Sequence, residues 1–123
     1  MKLSWSTLRV KDLEASIGFY QDVLGLTVTR RFPAGPGSEI AFLGGAGPVE
    51  IELISDGSGR EIVVGSDISW GFEVEGLDEK MAMLNERGIA FDGPSSPNPS
   101  IRFIFFSDPN GMRIQFAENM EKD

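Results

Sequence analysis

Apolar and polar side chains alternate along most of this chain, the period of a strand with one buried face, and in two stretches the apolar spacing lengthens to that of a helix. Alternation predicts strands over residues 3–10, 26–32, 39–43, 49–55 and 69–75. It is strictest in 49–55, where Val49, Ile51 and Leu53 oppose Glu50, Glu52 and Ile54. Near the C-terminal end, residues 102–107 and 112–117 flank Asp108-Pro109-Asn110-Gly111. Pro109 pre-sets φ for a turn and Gly111 supplies a positive φ, so a hairpin is expected. In its second strand Met112, Ile114 and Phe116 alternate with Arg113, Gln115 and Ala117. In its first, Phe103 and Phe105 share one face and Ile104 and Phe106 the other, and alternation alone leaves both assignments open.

The helical stretches have recognisable ends. Asp12 is placed to cap a helix whose stripe is Leu13, Ile17, Tyr20 and Leu24, widened by Phe19 and Val23 and closed by Gly25. Leu77, Met81 and Leu84 predict a second helix closed by Gly88. Between the elements, Pro33, Gly35, Pro36 and Gly37 mark a loop, and the glycines at 35, 37, 44, 45 and 47 lack phosphate-loop spacing and read as turns. Residues 62–64 are expected as a short edge strand and 89–91 as a brief one. Residues 93–100, with three prolines, are expected to be irregular, and 119–123 a frayed end.

This pattern runs twice. Val10-Lys11-Asp12-Leu13 is echoed 64 residues later by Val74-Glu75-Gly76-Leu77, and Gly25 by Gly88 at an offset of 63. Glu52 and Gln115 are also 63 apart, and Trp5 and Ser69 are 64 apart. An internal duplication decides architecture. The expected fold is α+β, with two βαβββ modules in one domain over 1–123: module 1 about 1–56, a linker about 57–67, and module 2 about 68–118. Each helix would cover the apolar face of its sheet and leave a more polar face open.

Composition narrows the functions available. A chain of 123 residues, 41% hydrophobic, can bury a core within one compact domain or two small halves. No run of about 18 apolar residues suggests a membrane span, and the first residues enter a strand pattern without a signal-peptide core. With no cysteine there is no disulfide framework, thiolate nucleophile or zinc knuckle, and a cytoplasmic location is expected. A net charge of −8, with Arg30-Arg31 as the sole adjacent basic pair, argues against nucleic acid. The acidity either keeps the protein in solution or steers a cationic ligand. The absence of histidine removes the commonest general base and transition-metal ligand, so any catalysis must use carboxylates, Arg, Lys, Tyr or Ser.

The ordered set LRVKDLEASIGFYQDVLGL from residue 8, IEL at 51–53, FEV at 72–74 and DPNGMRIQF at 108–116 resembles the vicinal oxygen chelate superfamily over nearly the whole chain. That group includes glyoxalase I, extradiol dioxygenases and bleomycin resistance proteins. The resemblance implies paired βαβββ modules curling into a cup, in a homodimer with sites near or across the interface. In metal-using members a His on the first strand, a Glu in the IEL strand, a His on the fifth strand and a Glu on the last hold the ion. These positions fall on Trp5, Glu52, Ser69 and Gln115, the pairs the repeat offsets select. Three of the four depart from the ligand pattern, so no metal and no cofactor is expected, and metal-dependent glyoxalase and dioxygenase chemistry are undercut together.

Strand parity assigns Trp5, Thr7, Arg9, Glu50, Glu52, Ser69, Gly71, Glu73, Arg113 and Gln115 to the open side. One large aromatic with convergent polar groups suits an organic ligand. Trp5 either stacks on a planar or cationic ligand or fills space left by the metal site. Arg9 with Glu73, or Arg113 with Glu52, are either ligand contacts or internal salt bridges. Trp70, with Phe72 and Val74, is expected in the core, as is Tyr20. Three functions follow. The favoured one is metal-free binding of a small organic molecule, as in drug sequestration. The second is a metal-independent isomerase or lyase with Glu52 as general base and Arg9 or Arg113 stabilising an oxyanion. The third is a structural or partner-binding dimer with a closed cup.

Overall fold

The structure, a computed structural model, describes residues 1–45 and 47–121, so the last part of the expected frayed end lies outside the described residues. The duplication is visible as two units, Met1–Val63 and Val64–Asp123. Module 1 runs β1 (Trp5–Arg9), α1 (Leu13–Asp22), β2 (Thr27–Pro33), β3 (Glu39–Gly44) and β4 (Glu50–Ser55). Module 2 runs β5 (Ser69–Glu73), α2 (Leu77–Glu86), β6 (Asp92–Asn98), β7 (Ile101–Ser107) and β8 (Arg113–Asn119). Each is βαβββ, giving an α+β fold of two four-stranded mixed sheets ordered β1-β4-β3-β2 and β5-β8-β7-β6. In both, the first strand pairs parallel with the last and the remaining pairs are antiparallel.

Local chemistry explains the helices. The Asp12 carboxylate accepts from the Ala15 backbone N–H at 3.1 Å, starting α1 as its sequence predicts. Gly25, at φ +72°, ends the turn beyond it. Leu13, Ile17 and Tyr20 of α1 are buried with Ala41 and Leu43 of β3 and Ile51 and Leu53 of β4, the strands α1 packs on. In module 2, Leu77 and Leu84 of α2 are buried with Ile104, Phe106, Ile114 and Phe116. Trp70 shares that face beside Ile114 but is half-buried rather than sealed. The hairpin between β7 and β8 turns on Asp108, whose carboxylate accepts from the backbone N–H groups of Asn110 at 2.8 Å and Met112 at 2.7 Å.

α2 begins differently from α1. Gly76, at its N-cap with φ +68°, has no capping side chain, and Glu118 of β8 serves instead. The Glu118 carboxylate accepts from the Gly76 N–H at 3.0 Å and from the Leu77 N–H. Its other oxygen pairs with Arg102 at 2.9 Å, and Arg102 also reaches Asp78 at 3.1 Å. The hydrogen bond from Arg102 holds Glu118 below its ordinary pKa, aided by the two backbone donors and opposed by desolvation.

Three local expectations are corrected. Residues 93–100 are not irregular: β6 spans Asp92–Asn98, including Pro94 and Pro97. It is an edge strand bonded to β7 alone, and its register slips twice, which is where a ladder tolerates proline. Residues 89–91 form no strand, because the Ile89 N–H bonds the Leu84 carbonyl at 2.9 Å and is used to close α2. Residues 62–64 form none either: no strand pairs with them, and Val63 is 92% exposed.

Candidate functional site

Each sheet buries one face under its helix, and the ladder register sets which side chains stand together on the other. In module 1 Trp5 pairs with Glu50, Thr7 with Glu52 and Arg9 with Ile54. The next strands extend these rows: Glu52 stands beside Phe42 and Phe42 beside Arg30, while Ile54 stands beside Ile40 and Ile40 beside Phe32. One row therefore reads Thr7, Glu52, Phe42, Arg30, and the next Arg9, Ile54, Ile40, Phe32.

Arg30 is on this face because of a bulge. Val28 pairs with Leu43, whose side is buried, and strict alternation would send Arg30 the same way. The register instead shifts between Val28 and Arg30, inserting Thr29 and turning Arg30 to the open side. Its neighbour Arg31 then points toward the helix, where it bonds Glu14 of α1 and Glu39 of β3.

The resulting contacts are specific. Trp5, 51% exposed, stands edge-on to Phe42 with ring centroids 5.9 Å apart. Phe32 stacks on Phe42 at 6.2 Å. The Arg30 guanidinium lies 3.8 Å from the centre of the same ring and pairs with Glu50 at 3.2 Å. The second Glu50 oxygen accepts from the Thr29 hydroxyl, and Glu52 accepts from Thr7. Arg9 is exposed and makes no ion pair among the described residues.

Module 2 repeats the plan with other side chains. Ser69 pairs with Arg113, Gly71 with Gln115 and Glu73 with Ala117. Phe105 stands beside Gln115 and Phe103 beside Ala117, so this pair takes the open face while Ile104 and Phe106 are buried. The Arg113 guanidinium lies 4.1 Å from the centre of the Phe105 ring. Gly71 leaves room for its neighbour: a Cβ there would meet the Gln115 side-chain oxygen at 3.1 Å. Glu73, at the strand end, also borders an acidic hollow of about 530 Å³ with Glu75, Glu118 and Glu121.

The structure thus brings Trp5, Thr7, Arg9, Glu50 and Glu52 onto one face, and Ser69, Gly71, Glu73, Arg113 and Gln115 onto the other module's face. Sequence reasoning missed Arg30, Phe42 and Phe32, together with Thr29, Ile40 and Ile54. A signal for Phe42 was present: it precedes Phe105 by 63 residues, the offset of Glu52 and Gln115. None existed for Arg30, since its side depends on the bulge.

The positions to which the resemblance assigns metal ligands carry few donors in either module. Trp5 offers no lone pair, Ser69 and Gln115 only neutral oxygens, and Glu52 is engaged by Thr7. Among the described residues no three His, Cys, Asp or Glu side chains gather to hold an ion. Neither module's residues at these positions fit a transition metal.

Residues 2–116 match the family model described as Glyoxalase/Bleomycin resistance protein/Dioxygenase superfamily. A lactoylglutathione lyase of Haemophilus influenzae is 31% identical, the alignment spanning 97% of this chain and 93% of that protein. Among solved structures, the trypanothione-dependent glyoxalase I of Leishmania major superposes with a TM-score of 0.83 at 23% identity, over 96% of this chain and 86% of that one. TnmS3, an antibiotic binding protein from Streptomyces sp. CB03234, superposes with a TM-score of 0.78 at 25% identity, over 97% and 96% of the two chains.

Proposed function

The chain belongs to the glyoxalase/bleomycin resistance protein/dioxygenase superfamily, and within it we propose that the protein binds a small organic molecule, without a metal, against the open face of module 1. The observation that carries this is Trp5, half exposed on the strand position that bears a metal-binding His in other members, edge-on to Phe42 and bordered by hydrogen-bonded carboxylates. An apolar plate with a few fixed polar groups gives a ligand area to cover and an orientation to adopt. The likeness to an antibiotic binding protein of the same size supports the reading and suggests sequestration as its use.

Tryptophan fluorescence titrated against planar compounds tests it. Trp5→Ala is expected to weaken binding by roughly tenfold or more, as for a stacking aromatic contributing about 1.4 kcal/mol or above. Binding unchanged in that variant removes the main support. A homodimer belongs to the same reading, and sedimentation at micromolar concentration should show twice the chain mass.

A second reading rests on Glu52, a carboxylate on the open face oriented by the Thr7 hydroxyl. In a metal-independent isomerase or lyase it would serve as general base, with Arg9 of the same face stabilising developing oxyanion charge. The lyase relatives' name supplies the first compound to try, lactoylglutathione. Turnover abolished in Glu52→Gln with ligand binding intact favours it, and no turnover in the native protein rejects it.

A further inference from the structure

We infer that Arg30 sets the ligand class of the module 1 face: it fills the cation position over Phe42, so the face takes planar aromatic molecules that carry no positive charge. This rests on the ligand-binding reading above and narrows it.

The face of a phenyl ring attracts a cation through its quadrupole. At Phe42 that place is already held by the chain's own guanidinium, 3.8 Å from the ring centre. Arg30 is fixed there. Glu50 pairs with it at 3.2 Å, Thr29 donates to the other Glu50 oxygen, and the bulge at Thr29 turns the side chain to this face. A guanidinium so restrained loses little further freedom on meeting a ligand, and its planar group stacks on aromatic rings where an ammonium would not. About half of the Arg30 side chain, 51%, remains exposed for that purpose. Trp5 approaches the same ring from its edge, so indole and guanidinium both border Phe42.

An incoming ammonium group finds the cation position over Phe42 filled and Glu50 beside it already paired. Glu50 is engaged by Arg30 and Thr29, whereas Glu52 accepts only from the neutral Thr7 hydroxyl and keeps its charge. The net charge of −8 attracts cations from a distance, but charges beyond about 8–10 Å are largely screened at physiological salt, and at contact the guanidinium decides. The cationic ligand that the overall acidity suggests is therefore replaced by a neutral or anionic one.

The test uses the native full chain and matched naphthalene probes: 2-naphthylmethanol, 2-naphthoate, 2-naphthylmethylammonium, and a saturated decalin methanol. Affinity is read by titration calorimetry, and position by the Trp5 indole N–H shift in a ¹⁵N spectrum. The alcohol and the carboxylate are expected to bind about fivefold or more tighter than the ammonium, the ratio a surface cation–aromatic site commands. In Arg30→Gln that gap should close, because Phe42 becomes free to receive the ammonium. In Arg30→Lys the bias against the ammonium should persist while the preference for naphthalene over decalin falls. The spectrum of each variant reports whether the fold is kept, and Arg60→Gln, far along the chain in the linker, controls for loss of one surface charge. If the probes shift Trp5 but the ammonium binds tightest, or Arg30→Gln leaves the ranking unaltered, ligand binding stands and the role of Arg30 falls. If no probe binds or moves Trp5, the ligand-binding reading and this one fall together.

Discussion

Glu118 shows how much one side chain can be asked to do in a small fold. Only 6% exposed at the end of β8, it replaces the cap that Gly76 cannot provide and neutralises Arg102 at the same time. A buried carboxylate is tolerated when donors surround it, and here three groups donate. Because its folded pKa is below its ordinary 4.5, its contribution to stability is fully present above the unfolded value and is lost as pH falls through the folded one. Glu118→Gln keeps the shape and removes the charge. Urea unfolding should therefore show the variant clearly weaker than wild type near neutral pH and the two curves converging in acid. A gap that stays constant across that range would contradict the linkage. Asp12 is simpler, a local cap on α1, and Asp12→Ala should cost about 1 kcal/mol by thermal unfolding.

At the scale of elements, β4 separates core from site by parity alone. Leu53 is fully buried beneath α1, while Glu52, the next residue, stands on the open face. Leu53→Ala should cost about 2–5 kcal/mol, as large-to-small core changes do, and Glu52→Gln within about 0.5 kcal/mol in unfolding experiments. Comparable losses at both would mean the alternation has been assigned wrongly. β6 is the element that composition misdescribed. Its prolines exclude it from the middle of a sheet but not from an edge, and edge position is a property of the topology. β2 carries the opposite lesson, since its residues read plainly as a strand while the bulge at Thr29 decides which face Arg30 serves.

At the scale of the molecule, two modules each bury their own core under their own helix, and residues 57–67 between the assigned strands are mostly exposed. Trypsin should cut first after Arg60, giving two fragments that meet near the boundary at Val63 and Val64, measurable by mass spectrometry of a brief digest. First cuts within β6 or the β7–β8 hairpin would show a different order of stability. The shared plan has diverged at its faces. Module 1 keeps Trp5, Glu50 and Glu52 where module 2 has Ser69, Arg113 and Gln115, yet both place a guanidinium over the repeat-equivalent phenyl, Phe42 or Phe105.

Fold class, the duplication, both helices with their terminal glycines and the closing hairpin were legible because each is written in local spacing: alternation, a 3.6-residue stripe, a cap, a turn. The family followed from the order of those pieces, and the absent histidines were visible by inspection. The open face was legible only along single strands, which is why Trp5, Thr7, Glu50 and Glu52 could be placed on it and Arg30 and Phe42 could not. Parity says which residues of one strand share a face, but not which strand lies beside it or where its register slips. The ladder positions of β3 and the extra residue at Thr29 are fixed by pairing between distant segments, and that pairing alone brought Arg30, Phe42 and Trp5 together.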